Sequence, residues 1–298
     1  MQKQTVDYVF YLQFVIILSL LLIISFTLNL IYENNLYKLP PDSYTPTFYY
    51  INLDKSIQRK QRYEKRIQKY KNLQTERIPA ITPNDIKQYK IIASSNCKFN
   101  SELEIACLLS HLKAIFIAYK NIMFDITKKI NSPTYALITE DDVVVLEMPE
   151  WEKLIKSAPL DWEILQLVAS GPIADYMYNN SPPGWQKYIH NTYCAAAYLI
   201  NLQGMTSILE SCVPEYKSID NWNDITTIYL NHNADCVADH IVFILANTYT
   251  YTVPLFNFEG IDSTIHPHHL PMHHLTMNII SDKFNNYQQQ ELLKKKHI

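Results

Sequence analysis

Glycine is scarce in this sequence, with only 4 residues in a chain of 298. The two glycine-rich patterns that cradle phosphate groups, GxGxxG and the P-loop, do not occur. The usual dinucleotide-binding and P-loop enzymes are therefore excluded. The formal net charge is also small, at -3, so no general attraction to nucleic acid is expected.

Cysteine pairs with CxxC spacing are absent as well, which argues against a zinc knuckle. The 5 cysteines are scattered along the chain, at Cys97, Cys107, Cys194, Cys212 and Cys236. This odd, scattered set predicts mostly buried thiols. One disulfide in an oxidising compartment is the open alternative.

The N-terminal region contains a long uncharged run from Tyr8 to Tyr32. Its length of about 25 residues is enough to cross a hydrocarbon core of about 30 Å. A cleaved signal peptide is the alternative, but it would have a shorter apolar region and a small-residue cleavage site. The sequence predicts a signal-anchor at 8–32, after a tail at 1–7. The larger part of the chain would then be luminal or external, as in a type II membrane protein.

The remaining sequence indicates one folded domain between two polar segments. Residues 33–47 contain three prolines and predict a stem, and 281–298 predict a polar C-terminal tail. Between them, at 48–280, short apolar runs alternate with helical patterns. This alternation predicts an α/β fold with a mainly parallel sheet flanked by helices. Asp175 to Trp185, rich in proline and asparagine, is predicted to be a loop.

Three adjacent acids stand between two apolar runs, in YALITEDDVVVL. Buried carboxylates are costly unless they are paired or bound to a metal, and adjacent carboxylates repel one another. A divalent cation would relieve both problems. Because neighbouring side chains of a strand alternate, Glu140 and Asp142 are expected on one side and Asp141 on the other, unless a turn follows. Oxygen ligands favour Mg²⁺ or Mn²⁺. The alternative to a metal site is that the acids cap a turn or pair with basic residues.

Six blocks together resemble glycosyltransferase family 25, the group that includes lipopolysaccharide and collagen galactosyltransferases. The similarity covers about 48–256, most of the chain after the stem. The blocks, in order, are FYYINLDKSIQRKQRYEKRI, ERIPAIT, ELEIACLLSHLKAI, YALITEDDVVV, WEILQLV and AAAYLINLQGMTSIL.

The resemblance implies a GT-A fold, a nucleotide-sugar donor and a metal site of the DxD type. Glu140, Asp141 and Asp142 match that site. Asp142 is the first choice as a metal ligand, with Glu140 or Asp141 next and the remaining acid near the ribose. The implied cofactor is Mn²⁺ or Mg²⁺, because a carboxylate-held cation neutralises the charge that develops on a leaving diphosphate.

The resemblance also implies donor-binding residues near the first strand. Asn52, Leu53 and Asp54 would stand at its carboxyl end. Arg59 falls where the family has an arginine, although the family's NLD-x-R spacing is longer here. The alternative for Arg59 is an ordinary surface arginine.

A Ser-His pair in the long apolar helix matches the family too. Ser110 and His111 are predicted to line the donor cleft. A hydrogen-bonded histidine in the core is the structural alternative. No GxSxG elbow accompanies the pair, so a hydrolase nucleophile is not indicated.

Two later positions complete the candidate site. Asp239 matches a late acidic position of the family and is the candidate general base. Asp220 and Asp224 are its rivals for that role. The structural alternative for Asp239 is that it caps a helix. His266, in the histidine-rich segment DSTIHPHHLPMHHL, is the candidate third metal ligand. An incidental histidine in a polar loop is its alternative.

Together these features predict a membrane-anchored, metal-dependent, inverting glycosyltransferase. It would transfer a hexose, galactose or glucose, from a UDP-sugar to a glycan or glycoprotein acceptor. A transferase of another GT-A family is one rival. An inactive glycan-binding or surface adhesion protein on the same fold is the other.

Overall fold

The chain divides into two compact units, residues 1–44 and 45–298. The computed structural model describes residues 17–25, 44–230, 235–259 and 270–296. In the first unit, residues 17–25 form a helix whose large apolar side chains are exposed. The other residues of the predicted span at 8–32 lie outside the described ranges. Membrane anchoring therefore stays a prediction.

The second unit is built around one large sheet. The strands of its described part are β1 (Thr47–Asn52), β2 (Thr75–Pro79), β3 (Lys90–Ala93), β4 (Tyr135–Glu140), β5 (Val143–Val145), β6 (Ile164–Gln166), β7 (Trp185–Lys187), β8 (Ala197–Asn201), β9 (Thr227–Leu230), β10 (Thr248–Tyr251) and β11 (Phe256–Phe258). The large sheet has the order β2-β1-β4-β8-β6-β10-β7. Its β7 and β8 run against the other five strands. The predicted mainly parallel sheet is thus confirmed.

Helices alternate with these strands, as the sequence predicts for an α/β protein. They are α1 (Ile57–Gln68), α2 (Glu102–Lys128), α3 (Trp151–Ser157), α4 (Pro172–Asn180), α5 (Leu202–Cys212), α6 (Ala238–Ile244) and α7 (Leu270–Lys296). β3 and β9 form a small parallel sheet, and β5 and β11 a small antiparallel one.

The long helix α2 forms the core on one side of the large sheet. Ser101 caps its first turn by accepting a hydrogen bond from the Glu104 amide at 3.3 Å. Lys129, in the left-handed conformation, ends it. Of the described helices, only α2 is long and apolar enough to cross a membrane, but most of its apolar stretch is buried in the fold. It packs against β1, β2, β4, α5 and α6, as expected of a core helix.

The acidic segment is not one continuous strand. β4 ends at Glu140, Asp141 and Asp142 form a turn, and β5 leaves the large sheet to pair with β11. The turn lets adjacent carboxylates point in different directions, which reduces the repulsion that a single buried strand would impose. The backbone of Asp142 is held by the Glu259 amide, which donates to its carbonyl at 2.8 Å.

Two segments differ from their predicted conformation. Most of the predicted loop from Asp175 to Trp185 belongs to α4, because Pro172 stands in the first turn, where proline favours helix initiation, and the next proline is Pro182. The polar segment that starts at residue 281 continues α7 through Lys296. Phe284 within it is buried, so the helix has an apolar contact that the polar composition conceals.

A disulfide joins Cys97 and Cys236, which are separated by 139 residues. Beside it, the Cys236 amide donates to the Lys98 carbonyl at 2.8 Å. The bond connects the segment before α2 with the segment before α6. Cys107, Cys194 and Cys212 are free thiols. The sequence left open whether the cysteines are all thiols or include one disulfide, and the structure contains the disulfide.

Replacing both Cys97 and Cys236 with alanine should lower the free energy of unfolding by about 2–5 kcal/mol, because the unfolded chain loses a long-range constraint. Urea denaturation of the full-length chain, followed by tryptophan fluorescence, measures this loss. Reductant should destabilise the wild type to a similar extent and leave the double variant unchanged. A wild-type midpoint that does not respond to reductant would contradict the assignment.

Candidate active site

The acidic turn, Glu140–Asp142, lies at the carboxyl edge of the large sheet. Ile51 of β1 pairs in parallel register with Glu140 of β4, so Asn52 reaches the same edge as the acids. From β1 the chain passes to β2 on one side, whereas from β4 it passes to strands on the other. In open α/β sheets such a switch point leaves a crevice at the carboxyl ends, where ligands bind.

Asp141 points towards β1 and α1. Its Oδ2 accepts a hydrogen bond from Asn52 Nδ2 at 2.6 Å, and its Oδ1 forms an ion pair with Arg59. Burial raises the pKa of Asp141, and the charge of Arg59 opposes this increase. Both carboxylate oxygens are therefore used to attach the turn to β1 and α1.

Arg59, at the start of α1, binds two of the three acids. Besides Asp141, its Nη2 contacts Asp142 Oδ2 at 3.1 Å. Its charge also lowers the pKa of Glu140. Arg59, which the sequence predicts to bind the donor, thus lies at the acidic turn. Its guanidinium partly neutralises the carboxylates there.

Glu140 points to the other side, towards α2. His111 Nε2 lies 3.4 Å from Glu140 Oε1, and His111 Nδ1 lies 3.1 Å from the Tyr198 hydroxyl. Cys107, one helical turn before His111, completes a group whose ligand atoms all lie within 4.8 Å of one another. Burial acts to raise the pKa of Glu140, but its contact with His111 and the charges of Arg59 and His273 lower it overall.

Asp142 has the strongest need for a further positive charge. Its Oδ1 is buried and has no hydrogen-bond partner in the described structure. Burial raises the pKa of Asp142 to about 7, and the negative charge of Glu140 adds to this increase. A carboxylate oxygen in this environment is suited to a cation, because the charged form is otherwise poorly compensated.

His273 was not predicted from sequence as a site residue. It lies on α7, its ring contacts Phe258 at a centroid distance of 5.8 Å, and its charge lowers the pKa of Glu140. The sequence singles out the histidine-rich segment as a whole, but its pattern does not reveal which histidine acts on the acids. His266, the residue selected there, lies outside the described residues.

Asp239 is located in the first turn of α6, within electrostatic range of the same acids. Its Oδ1 accepts a hydrogen bond from the Ala195 amide at 2.8 Å. Burial raises the pKa of Asp239, the charge of Glu140 adds to this, and His111 opposes it. The rival Asp220 is instead fully exposed and lies 3.7 Å from Lys120 Nζ.

The predicted nucleotide edge, after β1, is held by Arg77. Its Nε donates to Asn52 Oδ1 at 2.9 Å, and its Nη2 contacts the exposed Asp54 at 2.5 Å. Leu53 between them is half-buried. Asn52 is thus fixed between Arg77 and Asp141, which ties this edge to the acidic turn.

Ser110 lies behind the crevice wall. Its hydroxyl donates to the Ala106 carbonyl at 2.7 Å and accepts from the Ile81 amide at 2.8 Å. The side chain is buried and connects α2 to the segment after β2. A direct donor contact by Ser110 stays a prediction.

A second basic pair supports the turn and was not foreseen. Arg66 Nη1 contacts Glu259 Oε1 at 2.7 Å, and Arg62 Nε contacts Glu259 Oε2 at 3.2 Å. The Glu259 amide in turn holds the Asp142 carbonyl. The many basic residues of α1 give no sequence signal that distinguishes these arginines from a solvated helix face.

The comparisons with known proteins agree with the sequence blocks. A family model described as glycosyltransferase family 25 (LPS biosynthesis protein) matches residues 45–222. This range contains the acidic turn, Arg59 and His111, and it ends before Asp239. No curated protein matches the chain in the sequence search.

A search of solved structures finds the crystal structure of a glycosyltransferase involved in the glycosylation of the major capsid of PBCV-1. The alignment covers 76% of this chain and 99% of that one, at 12% identity and a TM-score of 0.29. A similarity at this level carries no structural argument, so the family match and the geometry of the site stand without it.

The raised pKa of Asp142 predicts a pH-dependent stability. Because the unfolded carboxyl ionises near pH 4, the folded protein holds an extra proton between about pH 4 and pH 7, and stability falls as the pH rises. Asp142→Asn removes this loss. The free energy of unfolding of the variant, relative to wild type, should increase by up to about 1.4 kcal/mol per pH unit across this window.

Urea denaturation at several pH values, with a chelator present to remove metal, measures this difference. Asp282→Asn, a substitution at an exposed position of α7, is the matched control and should follow the wild type. An Asp142→Asn effect that is the same at every pH would contradict the raised pKa.

Proposed function

The chain belongs to glycosyltransferase family 25, and we propose that its acidic turn binds the diphosphate of a UDP-sugar through Mn²⁺ or Mg²⁺ for transfer of a hexose. The supporting observation is the buried Asp142 Oδ1, which lacks a hydrogen-bond partner among the described residues. Galactose is the first candidate for the sugar and glucose the second. The proposed acceptor is a glycan or glycoprotein.

The residues present fit a hard divalent cation. Asp142 and Glu140 offer carboxylate oxygens, and their side chains are 21% and 31% exposed. His266 is retained as a proposed third ligand, and His273 is the described histidine whose charge acts on Glu140. When bound, the cation would neutralise negative charge on the leaving diphosphate.

Arg59 and Asn52 would position the donor. Arg59 contacts both Asp141 and Asp142, so a diphosphate that binds at the turn would lie beside its guanidinium. Asn52 is fixed by Arg77 and Asp141, and Leu53 and Asp54 follow it at the proposed nucleotide edge. His111 would form the wall opposite and orient Glu140, and Ser110, which lies behind that wall, is retained as a proposed donor residue.

Asp239 would act as the general base of an inverting reaction. Its Oδ1 is oriented by the Ala195 amide, and its Oδ2 would take the proton of the acceptor hydroxyl. Burial and, next, the negative charge of Glu140 raise the pKa of Asp239, so it is a stronger proton acceptor than an ordinary exposed aspartate.

The GT-A assignment and the cellular location are part of this proposal. The mainly parallel sheet with a small antiparallel sheet beside the acidic turn supports a GT-A type of fold. The Cys97–Cys236 disulfide supports a luminal or external location, because disulfides persist in oxidising compartments. The uncharged N-terminal run would supply the type II membrane anchor.

Donor binding can be tested without knowing the acceptor. Mn²⁺ and UDP together should stabilise the full-length chain by about 2.7 kcal/mol at a ligand concentration 100 times the dissociation constant. Asp142→Asn should abolish this stabilisation, whereas Asp282→Asn should retain it. A wild-type protein that does not respond would favour the inactive, glycan-binding alternative.

The donor itself can be identified with a panel of nucleotide sugars. The nucleotide sugar that the wild-type protein slowly hydrolyses is the donor.

The base can be separated from donor binding. Asp239→Asn should lower kcat by about 10²- to 10⁴-fold, because proton transfer is impaired. Its stabilisation by Mn²⁺ and UDP should be unchanged. Asp220→Asn, which alters the exposed rival, should keep the wild-type kcat. Full turnover by Asp239→Asn, or loss of turnover by Asp220→Asn, would reject the assignment.

A further inference from the structure

A second set of potential metal ligands lies beside the proposed donor site. Cys107 and His111 are four residues apart on α2, so they occupy the same face of the helix one turn apart. Glu140 reaches them from the end of β4. Their three ligand atoms lie within 4.8 Å of one another.

The geometry points to a site for a thiophilic divalent cation such as Zn²⁺, formed by Cys107, His111 and Glu140. The site includes a thiol and an imidazole, which favour zinc over Mn²⁺ or Mg²⁺. It differs in this respect from the oxygen-ligand site proposed at Asp142. Three protein ligands with a fourth position left for water or substrate are a familiar arrangement for zinc.

The spacing of the ligand atoms is close to that of a tetrahedral site. Usual zinc–ligand lengths place a nitrogen and an oxygen about 3.4 Å apart, and a nitrogen and a sulfur about 3.6 Å apart. His111 Nε2 and Glu140 Oε1 are already 3.4 Å apart. Because the whole group lies within 4.8 Å, the distances from the Cys107 sulfur to the other two ligand atoms exceed the tetrahedral spacing by about 1.2 Å at most.

Tyr198 supports this arrangement from behind. Its buried hydroxyl lies 3.1 Å from His111 Nδ1, which leaves Nε2 directed towards Glu140. A second contact of this kind fixes the orientation of a metal-binding histidine and its tautomer. Cys107 and Glu140 are both partly exposed, so a cation can enter from the crevice. On binding, the thiol would release its proton to solvent.

Glu140 is common to this site and the proposed donor site. If zinc binds Cys107, His111 and Glu140, then Glu140 is no longer available to act with Asp142. Zinc would therefore inhibit the transferase by competing for one carboxylate. This inhibitory role rests on the proposed function, whereas the cation site itself does not.

Cobalt provides a test that is independent of turnover. Co²⁺ added to the full-length chain should give a near-ultraviolet sulfur-to-cobalt charge-transfer band, which histidines and carboxylates elsewhere in the chain cannot produce. Cys107→Ser should remove the band, and Tyr198→Phe should weaken cobalt affinity by about 10- to 100-fold. The absence of a band in the wild type would overturn the proposal.

Two control variants locate the sulfur and separate the two sites. Cys194→Ser, which removes another partly exposed thiol, should retain the band. Asp142→Asn should also retain it while losing stabilisation by Mn²⁺ and UDP. A band that survives in Cys107→Ser, or disappears in Asp142→Asn, would overturn the assignment of a separate thiol site.

A measurement on the wild-type protein covers the case in which a variant does not fold. Zn²⁺ should slow alkylation of Cys107 by iodoacetamide, read by peptide mass spectrometry, and leave the rate at Cys194 unchanged. Equal rates at Cys107 with and without Zn²⁺ would contradict the site. In the transferase assay, Zn²⁺ should inhibit the wild type at least about tenfold more strongly than Cys107→Ser. Equal inhibition would reject the competition for Glu140.

Discussion

The concentration of negative charge at the end of β4 is the constraint on which the rest of the site depends. Three consecutive carboxylates can lie in a largely buried position only if each one has its own compensation. Asp141 is compensated by Asn52 and Arg59, and Glu140 by His111. Asp142 shares Arg59 but keeps one buried oxygen without a hydrogen bond among the described residues. The unequal compensation identifies Asp142 as the acid best placed to bind an added cation.

The turn also explains why chain segments that are distant in sequence meet at this edge. Between Glu140 and Val143 the chain leaves the large sheet and enters the small one formed with β11. The strand β11 brings Glu259 to the arginines of α1, and α7 brings His273 to Glu140. The same two-residue break therefore separates the carboxylates and recruits the C-terminal part of the domain.

Local sequence was sufficient for much of the fold but not for the partners within the site. The spacing of apolar residues in α2 and the alternation of strands and helices predict a sheet flanked by helices. Burial of one face imposes a characteristic apolar repeat on a helix and on a strand, so the sequence shows these repeats directly. The acidic turn is predictable for a related reason, because three carboxylates between two buried apolar runs are energetically costly without a partner. The pairings of Arg66 with Glu259 and of Cys97 with Cys236 were not predictable, because they depend on register and on contacts over long stretches of chain. Most of the helix α4 was missed because the asparagines at its end and the two prolines that follow it suggested a loop.

The long separation between Cys97 and Cys236 has a consequence for biosynthesis. The two thiols, 139 positions apart, can meet only after the chain between them has been made and largely assembled, whereas Cys107 and Cys194 are nearer competitors for Cys97. Shorter loops close at a lower entropic cost, so early oxidation favours mispairing. Rapid formation of α2 would pack Cys107 against the core, partly buried, before this exchange occurs. Correct pairing of Cys97 with Cys236 is therefore favoured when α2 forms before oxidation.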